Sequence, residues 1–143
     1  MIDLILIQDR RTGLGLFQYK GKSVVIDPTH EDLFQGFLSA FQSIIQELNL
    51  GNLKQISTED HHFIIHYDGL SDDNSAVNVI MMFDCEDCVE TLSTKAKEIG
   101  CEFRNMFGPT DKNIDTSRYD VFRGRLERLL ETDLNACVEM SQE

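Results

Sequence analysis

Apolar residues along the chain occur first in short runs and then at helical spacing, and this pattern predicts the order of elements. The run "IDLILIQD" and the segment "LGLFQYKG" flank the polar turn Asp9 to Gly13, which predicts an opening β-hairpin that "SVVID" would extend. The segment "DPTHED" has the chemistry of a helix start, with Pro28 just inside the helix and Asp27 or Thr29 as the N-cap.

The next segment predicts one long amphipathic helix that ends near Gly51. Its apolar residues recur at three- and four-residue spacing. These are Leu33, Phe34, Phe37, Leu38, Phe41, Ile44, Ile45 and Leu48. Three short strands are expected after it, at about Leu53–Thr58, His62–Tyr67 and Val77–Phe83, with the acidic loop "DGLSDDNS" between the second and third.

The last part of the chain predicts two more helices. One runs from about Cys85 to Phe107, with an apolar seam of Cys88, Leu92, Ala96, Ile99, Phe103 and Met106. After the breaker "GPTDKNID", the other carries Phe122, Leu126, Leu129 and Leu130 on one side. The resulting order is ββαβββαα. The short loops favour antiparallel connections, and strands that are apolar on both faces predict helices covering both sides of the sheet. We expect one domain over residues 1–134 and a frayed tail at 135–143.

Composition and charge narrow the classes of function. With 143 residues, 41% of them hydrophobic, the chain is long enough for one globular domain with a real core. A net charge of -12 argues against unaided binding to nucleic acid or to an anionic membrane. The start "MIDLILIQDRR" lacks the basic n-region of a signal peptide, and no apolar run reaches the ~18 residues of a transmembrane helix. We therefore expect a cytoplasmic protein without membrane insertion of its own.

The tetrapeptide "CEDC" at Cys85–Cys88 raises the question of thiol or metal chemistry. At a helix start the dipole lowers a thiol pKa, but the surrounding carboxylates of Asp84, Glu86, Asp87 and Glu90 oppose thiolate formation. Structural zinc needs four converging ligands. Cys101, on the same predicted helix, would lie ~24 Å from Cys85, and no second short-spaced ligand pair exists. Redox or zinc chemistry stays an alternative to two structural thiols.

The remaining candidates for chemistry are weaker. His62 and His66 share one face of a predicted strand but lie ~13 Å apart, too far to bind one ion. Gly13 and Gly15 lead into a strand, whereas phosphate-binding loops lead into a helix. No catalytic signature can be placed, so the expectation is a protein that is not an enzyme and holds no metal or cofactor.

Two features favour a protein partner. Gly36, Ser39, Ala40 and Ser43 form a seam of small residues beside the apolar residues of the first helix, and a mid-helix glycine costs about 1 kcal/mol relative to alanine. Close approach of another backbone would offset that cost, and that backbone belongs either to the chain's own sheet or to a partner. Charge is also segregated: the span Gln55–Thr94 has nine acids and no Lys or Arg, and basic residues cluster on the first hairpin and the last helix.

The element order, together with "DLFQGFLSAFQSIIQEL", "LKQIS" and "EIGCEFRNMF", resembles the longin domain, most closely the single-domain longin-like proteins of archaea. The resemblance covers nearly the whole chain. It implies an α+β fold in which a five-stranded antiparallel sheet has one helix on one face and two on the other. Roadblock and profilin-like domains are architectural relatives, but a roadblock domain begins with a helix, so longin is preferred.

The resemblance also implies a function. Longin domains are typically non-catalytic modules of vesicle-trafficking complexes and of regulators of small Ras-like GTPases. The resemblance implies that they make contact through the first helix and the following strand. On this chain those positions are Gly36, Ser39, Ala40, Ser43, Glu47, Lys54, Gln55 and Ser57. The expected partners are a small Ras-like GTPase and a second copy or a longin or roadblock partner, with membrane recruitment through partners only. The alternatives are a thiol-redox or zinc protein based on "CEDC" and a profilin-like binder of filament proteins.

Overall fold

The computed structural model describes residues 2–10, 13, 15–21, 28–69, 75–84, 89–108 and 116–130, and only the backbone of residues 28–32, 34 and 116. The predicted strand extension at 23–27, the tetrapeptide at 85–88, most of the breaker after the second long helix and the tail at 135–143 lie outside these residues.

The described elements follow the predicted order. They are β1 (Ile2–Asp9), β2 (Gly15–Lys20), α1 (Pro28–Glu47), β3 (Gln55–Ser57), β4 (His62–Asp68), β5 (Val77–Phe83), α2 (Val89–Phe107), a 3₁₀ helix (Thr116–Val121) and α3 (122–130). None of the helices within these residues is long and apolar enough to cross a bilayer.

The strands form one antiparallel sheet of five strands in the order β2-β1-β5-β4-β3. β1 pairs with β5 from Ile2–Phe83 to Asp9–Val77 at the centre of the sheet, and every residue of β1 is buried. A strand covered on both faces needs apolar residues at successive positions, which explains the continuous run "LILI". The predicted fold class is confirmed, with α1 on one face of the sheet and α2 with α3 on the other.

The face covered by α2 and α3 holds the larger core. Phe122 of α3 lies edge-on to Phe17 of β2, with ring centroids 5.5 Å apart, and edge-on to Phe103 of α2 at 5.2 Å. α2 approaches the sheet closely at Gly100, where a Cβ would lie only 3.0 Å from Cβ of Asp68. The aromatic cluster thus joins both helices to one face of the sheet.

The face covered by α1 holds a smaller core. Its buried members are Leu4, Leu6, Leu38, Ile65 and Ile80, with Leu53, Ile56, Tyr67 and Met82 packed around them. α1 contributes a single fully buried residue among its described side chains, Leu38. α2 therefore anchors the sheet far more firmly than α1 does.

α1 ends before the predicted boundary near Gly51. Asn49 adopts a left-handed conformation with φ 55°, and the N–H of Leu50 donates to the carbonyl of Ile45 at 3.1 Å. Asparagine tolerates this conformation and closes the helix by satisfying its last carbonyls. The chain then runs without regular structure to Lys54, so β3 begins later than predicted.

Replacing Phe122 with alanine tests the larger core. Phe122 is fully buried, so loss of its ring should lower the free energy of unfolding by about 3–5 kcal/mol, measured by urea denaturation. Its neighbour Val121 is 64% exposed, and Val121→Ala should change stability by no more than about 0.5 kcal/mol. Equal losses in the two variants would contradict this packing.

Candidate partner-binding surface

Most of the described apolar side chains of α1 point away from the sheet. Leu33 is 66% exposed, Phe37 58% and Ile44 53%, and Leu48, the residue directly after the end of α1, is 62% exposed. Phe41 is 36% exposed and stacks on Phe37 with ring centroids 5.8 Å apart. These five residues, Leu33, Phe37, Phe41, Ile44 and Leu48, are here called the exposed stripe. An amphipathic helix usually buries its apolar side, so α1 is an exception.

Among the described side chains of α1 around Leu38, most are polar, with Ile45 as a half-buried apolar one. Gln35, Ser39 and Gln42 are half-buried around Leu38, one helical turn or less from it. The Nε2 of Gln42 donates to the Tyr67 hydroxyl at 3.4 Å, and that hydroxyl donates to the Leu53 carbonyl at 2.7 Å. α1 is thus oriented by Leu38 and by hydrogen bonding rather than by its longest apolar row.

The sheet beneath α1 has matching polar positions. Gln8 and Asn78 are cross-strand partners on β1 and β5 and are 0% and 3% exposed. Both polar side-chain atoms of Gln8 and Oδ1 of Asn78 have no hydrogen-bond partner within the described residues. A buried polar group without a hydrogen-bond partner costs about 1–3 kcal/mol, so these positions make the sheet face beneath α1 less stabilising than the opposite face.

The predicted seam of small residues lies mostly on the outer side of α1. Gly36, Ala40, Ser43 and Glu47 are exposed, and a Cβ on Gly36 would meet no atom of the described residues within 4 Å. Contact with the described part of the sheet therefore does not explain the glycine. Ser39 differs from them, because it is half-buried and its Oγ would lie 2.9 Å from a Cβ on Gly13.

The predicted strand residues lie at the edge of the sheet. Lys54, Gln55 and Ser57 are exposed, and β3 is the edge strand next to β4. Gln55 donates to the Ser57 hydroxyl at 3.0 Å, and that hydroxyl lies 2.9 Å from Nδ1 of His62. The edge is therefore polar and ordered by its own side chains.

Together these residues define the α1 outer surface, which consists of the exposed stripe with Gly36, Ala40, Ser43 and Glu47. At about 200 Å² for each large side chain, the exposed fractions leave roughly 500 Å² of the stripe in water. That is near the upper end of the ~300–600 Å² of the largest apolar patch on a typical monomer. Exposure of the stripe is the feature that sequence periodicity missed. The sequence offered one indication of this exposure, in its polar residues. Gln8 and Asn78 interrupt otherwise apolar strands, and Gln35 and Gln42 lie on the same side of the helix as Leu38.

The other candidates for chemistry are engaged in local contacts. Nε2 of His61 lies 3.5 Å from Asp3, and Nε2 of His66 lies 3.2 Å from Asp68. The described residues contain no group of three or more His, Cys, Asp or Glu placed to hold a metal ion. Cys101 is exposed on α2, and the two cysteines of "CEDC" lie outside the described residues.

The basic residues of the last helical segment take part in intramolecular contacts. Arg118 donates to the Phe107 carbonyl and lies over the Tyr119 ring, and Arg123 donates to the Gln18 carbonyl. Arg125 pairs with Glu102 at 3.2 Å. These arginines, which form one of the predicted basic clusters, thus hold the last helical segment against neighbouring parts of the fold.

Comparison with known proteins finds no family and no curated protein that matches this chain. Among solved structures, one described as MglB with tetrameric arrangement is 16% identical over 71% of this chain and 76% of that chain, with a TM-score of 0.48. The gliding protein MglB from Thermus thermophilus is 17% identical over 68% of this chain and 73% of that chain, with a TM-score of 0.46. A likeness at this level carries no inference about function.

Replacing Gly36 with alanine tests whether this glycine is free of contacts in the chain itself. Because a Cβ meets nothing there, Gly36→Ala should raise the free energy of unfolding by about 0.5–1 kcal/mol through helix propensity. Gly100→Ala is the matched control on α2. It should lower stability, since the new Cβ would lie 3.0 Å from Cβ of Asp68. A loss of stability for Gly36→Ala, measured by urea denaturation, would contradict the exposed position.

Tyr67 gives α1 a pH-dependent attachment. Burial raises the pKa of the Tyr67 hydroxyl above its ordinary 10.0, against smaller lowering effects of the Gln42 hydrogen bond and the Arg10 charge. Tyr67 therefore ionises at a lower pH in the unfolded chain than in the folded protein. Its contribution to the free energy of unfolding is complete below pH 10 and is lost as the pH rises through the raised pKa of the folded state.

Replacing Tyr67 with phenylalanine should remove both the hydrogen bond and this pH dependence. Below pH 10 the variant should be about 1 kcal/mol less stable. Above pH 10 the difference from the parent protein should narrow. Urea denaturation below and above pH 10 measures this difference in the free energy of unfolding, and Tyr19→Phe is the control. A difference between Tyr67→Phe and the parent protein that stays constant with pH would contradict this role of Tyr67.

Proposed function

We propose that this protein is a non-catalytic interaction module that binds partner proteins through the α1 outer surface and the β3 edge, and that it acts as a scaffold or regulator of a small Ras-like GTPase. One observation carries the proposal: a row of large apolar side chains on α1 faces solvent beside a row of small ones. A stable domain gains nothing by itself from that arrangement, whereas a partner that covers the stripe gains apolar burial.

The spacing of the exposed stripe suits another helix. Phe37, Phe41, Ile44 and Leu48 follow one another at intervals of four, three and four residues, which is the a/d spacing of helices that pack side by side. Gly36 and Ala40 lie next to this row and have little or no side chain. A partner helix could therefore approach closely while its own side chains fill the space beside the phenylalanines.

The β3 edge offers a second, different contact. An edge strand presents backbone N–H and C=O groups that can pair with a strand of another molecule. A standard protein interface buries about 800 Å² on each partner, more than the roughly 500 Å² of the stripe alone. The exposed residues at the β3 edge would enlarge the combined surface beyond the stripe. Helix packing and sheet extension together support a homodimer or a heterodimer with a related domain.

A GTPase partner is supported by the longin resemblance and by the fold it implies. The domain would then act by holding a GTPase beside a second module, within trafficking-type complexes, in the cytoplasm or at membranes through its partners.

A charge placed in the exposed stripe should separate binding from folding. Ile44→Asp should weaken self-association at least tenfold, because a carboxylate would be buried against the partner's apolar side chains. Ile44 is 53% exposed, so the variant should unfold within about 1 kcal/mol of the parent protein. Sedimentation equilibrium measures association, and urea denaturation measures stability.

The matched control is Glu127→Lys, which changes the charge of an exposed residue on α3, outside the α1 outer surface. It should leave association unchanged. Gly36→Leu should weaken association as well, although it places an apolar side chain on the surface, because the partner loses its close approach. A parent protein that is strictly monomeric at high concentration and retains no small Ras-like GTPase, in either nucleotide state, would overturn the proposal.

A further inference from the structure

The edge strand β3 covers only the first part of β4. The ladder between them runs from Ser57–His62 to Gln55–Ile64, and one further bond leads from the Ile65 N–H to the Lys54 carbonyl at 2.9 Å. β4 itself continues to Asp68. Among the described strands, none lies beside the end of β4 on its outer side.

The segment before β3 turns away from β4 toward α1. The Tyr67 hydroxyl holds the Leu53 carbonyl, and both side chains pack with the core beneath α1. Backbone groups of alternate residues in a strand point to the same edge. The Ile65 N–H faces Lys54, which lies on the outer edge of β4. The N–H and C=O of Tyr67, two residues later, therefore point to the same outer edge, where β3 no longer pairs with β4.

A groove of about 420 Å³ lies at this opening. Its lining residues are Lys54, Gln55, Ile64, Ile65, His66, Tyr67, Val89 and Ser93. Four consecutive residues of β4 take part, and side chains of consecutive residues point to opposite faces of a sheet. The groove therefore follows the edge of the strand, and Val89 and Ser93 of α2 form its wall.

The chemistry of the groove is apolar with a basic rim. Ile64, Ile65 and Val89 supply apolar surface, and the Lys54 ammonium supplies a positive charge at the rim. Among the residues that the structure describes, none of those lining the groove is acidic. The Lys54 ammonium makes no ion pair with any residue that the structure describes, although the chain as a whole carries a net charge of -12. An unpaired cation beside open backbone groups is complementary to a carboxylate on an extended chain.

We infer that this groove binds an extended acidic peptide segment, whose backbone pairs with Tyr67 and whose carboxylate faces Lys54 while a neighbouring apolar side chain lies against Ile64 and Val89. The site goes beyond the proposed function and does not rest on it, because its wall is α2 and its floor is the end of β4. It would add one short strand in the place that β3 leaves open.

The probe is the blocked peptide acetyl-VEVEV-amide, titrated into the ¹⁵N-labelled full chain and followed by NMR. The amide signals of Ile65, Tyr67 and Ser93 should shift in a saturable manner. The basic peptide acetyl-VKVKV-amide should bind at least fivefold more weakly.

Two variants test the two parts of the site. Lys54→Glu should weaken binding of the acidic peptide at least fivefold, whereas the matched change Lys97→Glu, on an exposed part of α2 outside the groove, should leave it unchanged. Ser93→Trp should fill the groove and abolish the shifts. Thr94→Trp, at the adjacent exposed residue outside the lining, should not.

Ser93 and Thr94 are both exposed, so each variant should fold, and the retained NMR spectrum would show that it does. Shifts confined to α1 or to β2, equal affinity for the two peptides, or no saturable shift at all would overturn the inference. None of these outcomes bears on Ile44→Asp, so a failure here is distinguishable from a failure of the proposed function.

Discussion

The pairing of β1 with β5 is the constraint from which the rest of the structure follows. The two strands form the centre of the sheet, and each is covered on both faces, so their side chains decide what each helix layer can be. Ile5, Ile7, Val79 and Met81 project into the α2 and α3 layer and are fully buried. On the opposite face the same strands place Gln8 beside Asn78, which limits how apolar the covering helix can be.

This asymmetry explains why the two helix layers differ. α2 and α3 share a continuous core with an aromatic cluster at its centre. Mutations in this core are expected to lower the stability of the folded protein. α1 rests on a small core and on hydrogen bonds through Tyr67, and its longest apolar row faces water. One face of the sheet therefore supplies stability, and the other carries a helix whose apolar residues remain available to a partner.

The sequence predicted the fold better than it predicted the surface. Runs such as "IDLILIQD" and "VNVIMMF" gave strand positions because a doubly covered strand has little choice of side chains. Periodicity also located α1 but did not indicate which way it would turn. Phe37 and Leu38 are adjacent and equally apolar, so the local pattern does not distinguish the side of α1 that packs. The sheet face that Leu38 meets is assembled from β1 and β5, which lie far apart in the sequence, and it is invisible to any local window.

The same long-range pairing sets the order of events during folding. Ile2 pairs with Phe83, so the centre of the sheet cannot close until the chain as far as β5 is available. During synthesis the first hairpin and α1 would leave the ribosome before β5. The apolar residues that later become buried, and the exposed phenylalanines of α1, would then all be in contact with water. Topologies with such high contact order fold slowly and expose aggregation-prone segments while they do so. An early nascent chain of this protein is therefore expected to be a substrate for chaperones.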